Sequence, residues 1–140
     1  MIHAMDISMS GLLAQRARLT AVASNIANIS SMRNENNEVQ PYQARHVVLQ
    51  TAPIDDRGSP AAKVQVAKVD TTTVEPNYRY DPTHPLAMKS GPYQGYVAYP
   101  NVDLMSEFVD ALEATRAYEA NVGVIEISKN MAQQTLRILA

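Results

Sequence analysis

Residues that commonly do chemistry in proteins are few in this chain and are not grouped. His3, His46 and His84 are the three histidines, and their positions lack the spacing of metal ligands. Asp81 lies close to His84, but prolines flank the pair and no nucleophile motif accompanies it, so an aspartate that caps a turn is the stronger interpretation. Residues 55–56, two aspartates, belong to a turn signal rather than to a catalytic carboxylate pair. We therefore predict no catalytic or metal site.

Motifs of the common enzyme families are also missing. The sequence contains no G-x-S-x-G, no glycine-rich phosphate loop and no H-E-x-x-H. Tyr93, Tyr96 and Tyr99 could stack nucleobases, but no basic groove accompanies them. Packing of a small sheet on a helix is the expected role of these tyrosines. We expect no cofactor, and an enzyme has no support from the residues.

Composition narrows the class of protein further. The 140 residues predict one domain, compact or with helical extensions, and the net charge of -2 offers no basic field for nucleic acid or an anionic membrane. There is no cysteine, which excludes disulfides, thiolate zinc sites and a cysteine nucleophile. Residues 1–10 lack the features of a signal peptide, and no apolar run approaches the ~20 residues of a membrane span. We expect no membrane insertion, and no cleaved leader if the protein is exported.

Proline divides the chain into three zones. All eight prolines lie between residues 41 and 100, and proline breaks helix interiors. We therefore predict an N-terminal helical segment over 1–33, a β-rich insert with extended loops over 34–100, and one long helix over 101–140. The fold class is α+β, mainly α, with the two terminal helices in a coiled-coil-like arrangement and the small insert between them.

The first zone predicts a helix from about residue 6 to residue 28. Seven positions in this zone follow one another in alternating steps of four and three, which is the spacing of a coiled-coil seam with one charged interruption. They are Met5, Met9, Leu12, Arg16, Leu19, Ala23 and Ile26.

The third zone gives the strongest helix signal. Asn101 follows a proline and is a good N-cap residue, acidic residues crowd the first turns, and Lys129 and Arg137 come late. Two apolar stripes share this helix, and one shorter helix cannot cover both. The first runs through Leu104, Phe108, Ala111, Thr115, Tyr118, Val122, Ile125, Lys129, Ala132, Leu136 and Leu139. The second holds Val102, Met105, Val109, Leu112, Val124, Ile127, Met131 and Ile138.

The middle zone predicts short strands. Alternation over 42–51 and 63–69, separated by the turn signal of 55–60, indicates a hairpin with a long loop. Residues 78–80 and 93–99 are further strand candidates, and 81–85 is expected to be extended or a turn.

Several motifs resemble those of flagellar axial proteins. The segment Ser10–Arg16, followed by Ala23–Asn28, is similar to the N-terminal motif that flagellar rod and hook proteins share. Tyr80–Pro85, Tyr99–Asp103 and Ala114–Val122 resemble motifs of the basal-body rod protein family, and the resemblance covers nearly the whole chain. The chain departs from that family in three places. Loop 31–40 lacks glycines, position 103 holds an aspartate in place of an asparagine, and position 123 holds a glycine inside a helix.

The resemblance implies a structural subunit of the proximal rod, in the basal body of the bacterial flagellum. Such a subunit assembles helically with other rod proteins and with copies of itself into a torque-transmitting drive shaft in the periplasm. It leaves the cell through the flagellar type III export apparatus without cleavage. Two alternatives stay open at this point, namely another rod-type or hook-type axial protein, and a soluble helical adaptor or chaperone.

Subunit interfaces are the functional sites that follow from this interpretation. Arg116 has two readings there: an ordinary intrahelical pair with Glu113 or Glu119, or a polar group between helices that sets their register. The predicted interface residues are Leu12, Leu19, Asn25, Ile26, Asn28, Leu104, Phe108, Leu112, Arg116, Tyr118, Val122, Ile125, Ile127, Met131 and Leu136.

Overall fold

A computed structural model describes residues 2–34, 36–51 and 63–139. Two long terminal helices flank two small antiparallel sheets in the sequence, which confirms the mainly α, α+β fold. The loop of the predicted first hairpin falls in 52–62, outside the described residues. In chain order the elements are α1 (Ile2–Ala27), β1 (Arg45–Thr51), β2 (Val64–Thr71), β3 (Asn77–Tyr80), β4 (Tyr96–Tyr99) and α2 (Leu104–Leu139).

The two helices pack side by side in opposite directions. Gly11, near the start of α1, faces Asn121 in the middle of α2. At the other end of α1, Asn25 donates a hydrogen bond to Glu107 in the first turn of α2, at 3.0 Å. On that register Ile2 lies level with about residue 130, and the remaining turns of α2 extend beyond the described part of α1.

Small and polar side chains fill the contact between the helices. The buried residues of the pair are Ser8, Ala14, Ala21, Val22, Asn25, Glu107, Ala114 and Ser128. Small residues let two helix backbones approach closely. In both helices this buried face is displaced from the stripe of large apolar residues, so Met9 is 60% exposed although it belongs to that stripe.

Helix α2 begins later than the sequence suggests. The carboxylate of Asp103 accepts hydrogen bonds from the Met105 N–H, at 3.1 Å, and from the Ser106 hydroxyl, at 2.7 Å. Asp103 is therefore the N-cap, and the prediction of Asn101 as the cap is wrong. The side-chain amide of Asn101 instead donates to the carbonyl oxygen of Glu75, at 3.2 Å, and so holds the chain that enters the helix.

Strands β1 and β2 form a hairpin that lies against α1. Their register shifts between Val48 and Leu49, where the ladder carries a β-bulge. The Val64 N–H donates to the Ser10 hydroxyl oxygen at 3.1 Å, and the Lys63 ammonium lies 3.6 Å from the Asp6 carboxylate. These contacts join the start of β2 to the N-terminal turns of α1.

Strands β3 and β4 form a second hairpin whose tyrosines pack on one another. The rings of Tyr78 and Tyr93 are stacked with centroids 4.2 Å apart, and Tyr96 lies edge-on to Tyr93 and to Tyr80. Among the described helices and strands, β3 and β4 pack on each other alone. The expectation that these tyrosines pack a sheet on a helix is therefore wrong, because the hairpin buries Val97 within itself and its own connecting loop.

The turn after β3 is capped by an aspartate, as predicted. Asp81 accepts from the Thr83 hydroxyl at 2.8 Å and from the Thr83 N–H at 3.2 Å. These hydrogen bonds to Thr83 lower the pKa of Asp81 below its ordinary value. His84 uses Nδ1 to accept from the Leu86 N–H, at 3.2 Å. Both residues are thus occupied by the turn.

Candidate interaction surfaces

The described residues contain no cluster of three or more histidine, aspartate or glutamate side chains that could hold a metal ion. Within the same residues, neither helix combines the length and hydropathy needed to cross a bilayer. The features that remain are a buried polar junction between three elements and large exposed apolar surfaces on the helices.

Asn25 is the centre of the polar junction. Its side chain is 1% exposed and uses both ends of its amide. The Nδ2 group donates to the carbonyl oxygen of Arg45 and to Glu107, each at 3.0 Å. The Oδ1 atom accepts from the Arg45 N–H at 2.9 Å and from the Tyr42 hydroxyl at 3.0 Å. One amide therefore ties α1 to α2 and to the start of β1.

Glu107 is the partner of Asn25 on α2 and is itself buried. Its Oε1 atom accepts the amide hydrogen bond, while its Oε2 atom is buried without a hydrogen-bond partner among the described residues. A buried carboxylate needs donors because burial removes its water. The Asn25 amide is the donor that the described residues supply, so the two residues depend on each other.

The outward surface of α2 carries large apolar side chains along most of its length. Met105 is 72% exposed near the start of the helix, Leu112 is 61% exposed, and Ile138 is 84% exposed near the end. Contiguous apolar surface of this kind marks a contact site in a soluble protein. Helix α1 adds Met9 and Leu13, which are also exposed by more than half.

The predicted interface residues fall into three groups by exposure. Asn25 lies inside the chain, so we assign it to the intrachain packing and not to the subunit interface. Six residues are half-buried, namely Leu12, Leu19, Ile26, Asn28, Val122 and Ile125. Eight residues are exposed, namely Leu104, Phe108, Leu112, Arg116, Tyr118, Ile127, Met131 and Leu136.

Arg116 lies on α2 three residues from Glu113 and three residues from Glu119. The carboxylate of Glu113 bonds to Arg18 on α1 at 3.2 Å, and Arg18 also reaches Asp110 at 3.1 Å. Among the described residues Arg116 has no ion pair. The interpretation of Arg116 as an intrahelical pair is therefore wrong. Glu113 pairs with Arg18 across the helix pair, and neither Glu113 nor Glu119 lies within ion-pair distance of Arg116.

Some exposed apolar residues were absent from the predicted interface. Met105, Val109 and Ile138 are each more than 60% exposed on α2, and all three belong to the second stripe visible in the sequence. Tyr80 is 63% exposed on the β3–β4 hairpin. The exposure of Tyr80 was not predictable from the strand pattern, because a strand's two faces cannot be told apart before its packing partner is known.

The chain has two antiparallel terminal helices, a β-rich insert that joins them, and apolar helix surfaces that its described residues leave exposed. These features define a structural subunit of an axial assembly. Comparison with known proteins agrees. Residues 5–31 match the family model described as flagella basal body rod protein, and residues 93–138 match that described as flagellar basal body rod FlgEFG protein C-terminal.

Similar proteins span almost the full chain. The chain is 38% identical to the flagellar basal-body rod protein FlgC of Escherichia coli, over 99% of this chain and 97% of that protein. It is 36% identical to FlgC of Bacillus subtilis and 34% identical to FlgC of Borreliella burgdorferi, with at least 96% of every chain covered. The chain belongs to the FlgC family of flagellar basal-body rod proteins. It is a structural subunit of the rod, and it assembles with other rod proteins.

Proposed function

We propose that this subunit self-assembles with other axial proteins into the proximal rod and transmits torque there through its helix surfaces. The interfaces in this proposal are the exposed and half-buried residues of α1 and α2 given above, without Asn25. Copies of the chain and other rod subunits would lie along a helical path, joined by heterologous contacts that repeat from subunit to subunit.

The observation that carries this proposal is the exposure of large apolar side chains along α2. Each such side chain contributes roughly 1.5–3 kcal/mol when it is fully buried, and within the described chain most of this surface is uncovered. A soluble adaptor or chaperone would cover such surface within its own monomer or dimer fold. Contact between neighbouring subunits is the arrangement that would bury this apolar surface.

Export through the flagellar type III apparatus, without a cleaved leader, is part of the same proposal. Two observations support this export route: the chain belongs to the rod protein family, and its composition suits export. With no cysteine, the chain forms no disulfide that would hinder unfolding before export or refolding in the oxidising periplasm.

Aspartate substitutions at two exposed positions of α2 test the interface. Leu112→Asp places a charge on the apolar surface, and Gln133→Asp places the same charge on an exposed position that is already polar. We expect Leu112→Asp to be exported but absent from isolated basal bodies, because an unpaired charge at a buried contact costs several kcal/mol. Gln133→Asp should be incorporated like the wild type. Normal rods with Leu112→Asp would contradict the proposal.

A further inference from the structure

Tyr80, at the end of β3, is an exposed aromatic residue whose ring is held in one place. The residue is 63% exposed, yet its ring lies edge-on to Tyr96 with the centroids 5.2 Å apart. A Cβ atom built on Gly95 would lie 3.0 Å from Cε2 of Tyr80, and Gly95 has a φ of 81°. Glycine at this position therefore lets the backbone pass directly beside the ring. A tyrosine that is exposed but fixed offers a rigid contact surface at little cost in conformational entropy.

Packing inside the subunit does not explain this exposed ring. Strands β3 and β4 pack on no other described helix or strand, and the fully buried residue of the hairpin is Val97. The helix surfaces of the proposed function lie on α1 and α2 and do not include Tyr80 either. The hairpin is thus a part of the chain to which the contacts between helices assign no role.

Tyr80 separates two clefts of the hairpin. The larger cleft, of about 720 Å³, is lined mainly by residues of the loop that connects β3 to β4, including His84 and Lys89. The smaller cleft, of about 480 Å³, follows β3 and is lined by Asn77 and Arg79 together with tyrosines. Tyr80 is the lining residue that the two clefts share. A chain-like ligand that crosses the ring would therefore reach both clefts. We call Tyr80 and these two clefts the Tyr80 platform.

The Tyr80 platform offers positive charge and hydrogen-bond donors. Lys89 lines the larger cleft and Arg79 the smaller one, and neither has an ion pair among the described residues. His84 accepts from the Leu86 N–H at Nδ1, so the proton of its neutral ring lies on Nε2, which is a donor. None of the described lining residues is acidic. The matching ligand is rich in acceptors and carries negative charge on either side of an apolar face.

A polysaccharide strand with carboxylate groups has this chemistry. One face of a sugar ring is a set of C–H groups, which pack on the electron-rich face of an aromatic ring. Its hydroxyl and carboxylate oxygens accept hydrogen bonds, and those to charged donors are the stronger ones. An extended peptide fits less well, because its N–H groups need acceptors and the lining of the clefts contains no carboxylate. Single-stranded nucleic acid is disfavoured by the net charge of -2.

We propose that the Tyr80 platform binds a carboxylated glycan strand, with one sugar ring stacked on Tyr80 and carboxylates beside Lys89 and Arg79. The inference goes beyond the proposed function and does not depend on it, since the platform lies on the hairpin and the proposed subunit contacts lie on the helices.

Binding of soluble glycans to the purified full-length subunit tests the proposal. The probe is a peptide-free oligomer in which N-acetylglucosamine alternates with N-acetylmuramic acid, so that every second sugar carries a carboxylate. Its control is an N-acetylglucosamine oligomer of the same length, which carries none. In isothermal titration calorimetry we expect the carboxylated oligomer to bind at least about fivefold more tightly, because two cations of the platform favour it.

Five variants assign the binding to the platform. We expect Tyr80→Ala to weaken binding of the carboxylated oligomer about tenfold or more, and Tyr80→Phe, which keeps the ring, to stay within about twofold of the wild type. Lys89→Gln and Arg79→Gln should each weaken it about twofold to fivefold and leave binding of the uncharged oligomer unchanged. The charge control is Lys68→Gln, which removes an exposed cation on β2 and should bind like the wild type.

Several outcomes would overturn the proposal. They are no binding of the carboxylated oligomer by the wild type, equal affinity for the two oligomers, and wild-type affinity in Tyr80→Ala. Amide chemical shifts of β3 and β4 report whether the hairpin keeps its fold in Tyr80→Ala. Lys89→Gln changes an exposed side chain alone, so wild-type affinity in that variant and in Arg79→Gln would also decide against it. An acidic peptide or a single-stranded oligonucleotide that binds the platform more tightly than the glycan would assign it to that class instead.

Discussion

At the scale of single residues, Asn25 does more than any other described side chain to fix the arrangement of the chain. A primary amide has two donors and an acceptor oxygen with two lone pairs, and Asn25 uses all of them at once on three other residues. Bonds of this kind favour one arrangement of the three elements, because any shift of register leaves the buried Asn25 amide without its partners.

Replacing Asn25 with alanine tests this role. The change leaves the Arg45 N–H and the Glu107 carboxylate without the amide, and each buried group left unsatisfied costs about 1–3 kcal/mol. We expect Asn25→Ala to lower the free energy of unfolding by about 3 kcal/mol in urea denaturation. The control is Asn28→Ala, directly after α1, which removes two part-buried local hydrogen bonds, one donated to the Ser24 carbonyl and one accepted from the Ser31 hydroxyl. Equal losses in the two variants would contradict the special role of Asn25.

Asp103 gives a second prediction, about pH. Hydrogen bonds from the Ser106 hydroxyl and then the Met105 N–H hold the pKa of Asp103 below its ordinary value of 3.8. A lowered pKa means that the folded state favours the carboxylate. Its contribution to stability is therefore complete above the unfolded pKa and is lost as the pH falls through the folded pKa.

Comparing the wild type with Asp103→Asn tests the direction in which stability changes with pH. Asparagine also caps helices but does not titrate. We expect the wild type to lose stability relative to Asp103→Asn as the pH is lowered from about 5 to about 2, in thermal unfolding followed by circular dichroism. A constant difference across this range would show that the carboxylate is not held at the helix start.

Residue-scale features were predictable where the signal is local. The Asp81 cap follows from an aspartate two residues before a threonine in a proline-rich turn, and the structure has that turn. The choice of Asn101 as N-cap failed because Asp103 is equally suitable and the sequence does not show which carboxylate or amide meets the first free N–H groups. The burial of Asn25 depends on Arg45 and Glu107, which are distant in sequence, and no local pattern reveals that.

At the scale of elements, large apolar residues predicted both helices correctly but misplaced the face on which they meet. Ala14, Ala21 and Ala114 line the contact, while Met9 and Leu112 lie outside it. In a monomeric globular protein the largest apolar residues would be innermost. Here the small residues are innermost, because a close helix pair leaves the large side chains to surfaces that other subunits can cover.

The two glycines of the helices give a matched test of this packing. A Cβ on Gly11 would lie 3.0 Å from Oδ1 of Asn121, whereas a Cβ on Gly123 meets nothing within 4 Å. Alanine is about 1 kcal/mol more favourable than glycine in a helix. We expect Gly123→Ala to stabilise the isolated subunit by about that amount, and Gly11→Ala to gain less or to lose stability. A larger gain at Gly11 than at Gly123 in urea denaturation would contradict the close contact.

At the scale of the whole molecule, the described part of the chain leaves much of the apolar surface of its two helices exposed. The β1–β2 hairpin lies on one flank of α1, and the β3–β4 hairpin packs on its own loop. Neither hairpin covers the outward face of α2, so most of that face is left for other subunits. The positions of the two long helices at the ends of the chain were predictable from the prolines, but the separation of the two hairpins was not, because strand pairing depends on contacts distant in sequence.

Amide hydrogen exchange tests this whole-molecule view, because the protection of α2 should change along its length. In the segment 107–128 the helix packs on α1, but beyond about residue 130 it runs past the described part of that helix, and Ile138 is 84% exposed there. Helix ends without tertiary contacts open locally at little cost in free energy. For the dilute isolated subunit, we therefore expect mass spectrometry to show fast exchange in 131–139 and slow exchange in 107–128.

Assembled basal bodies provide the comparison, since neighbouring subunits should cover the same segment and slow its exchange to the level of 107–128. The ordering of 131–139 would then be a property of the rod and not of the chain, and assembly would have to offset the entropy of that ordering. Slow exchange throughout α2 in the dilute subunit would contradict this, and so would fast exchange of 131–139 that persists in the assembled rod. The first result would mean that the helix is stable without a neighbour, and the second that no neighbour covers its end.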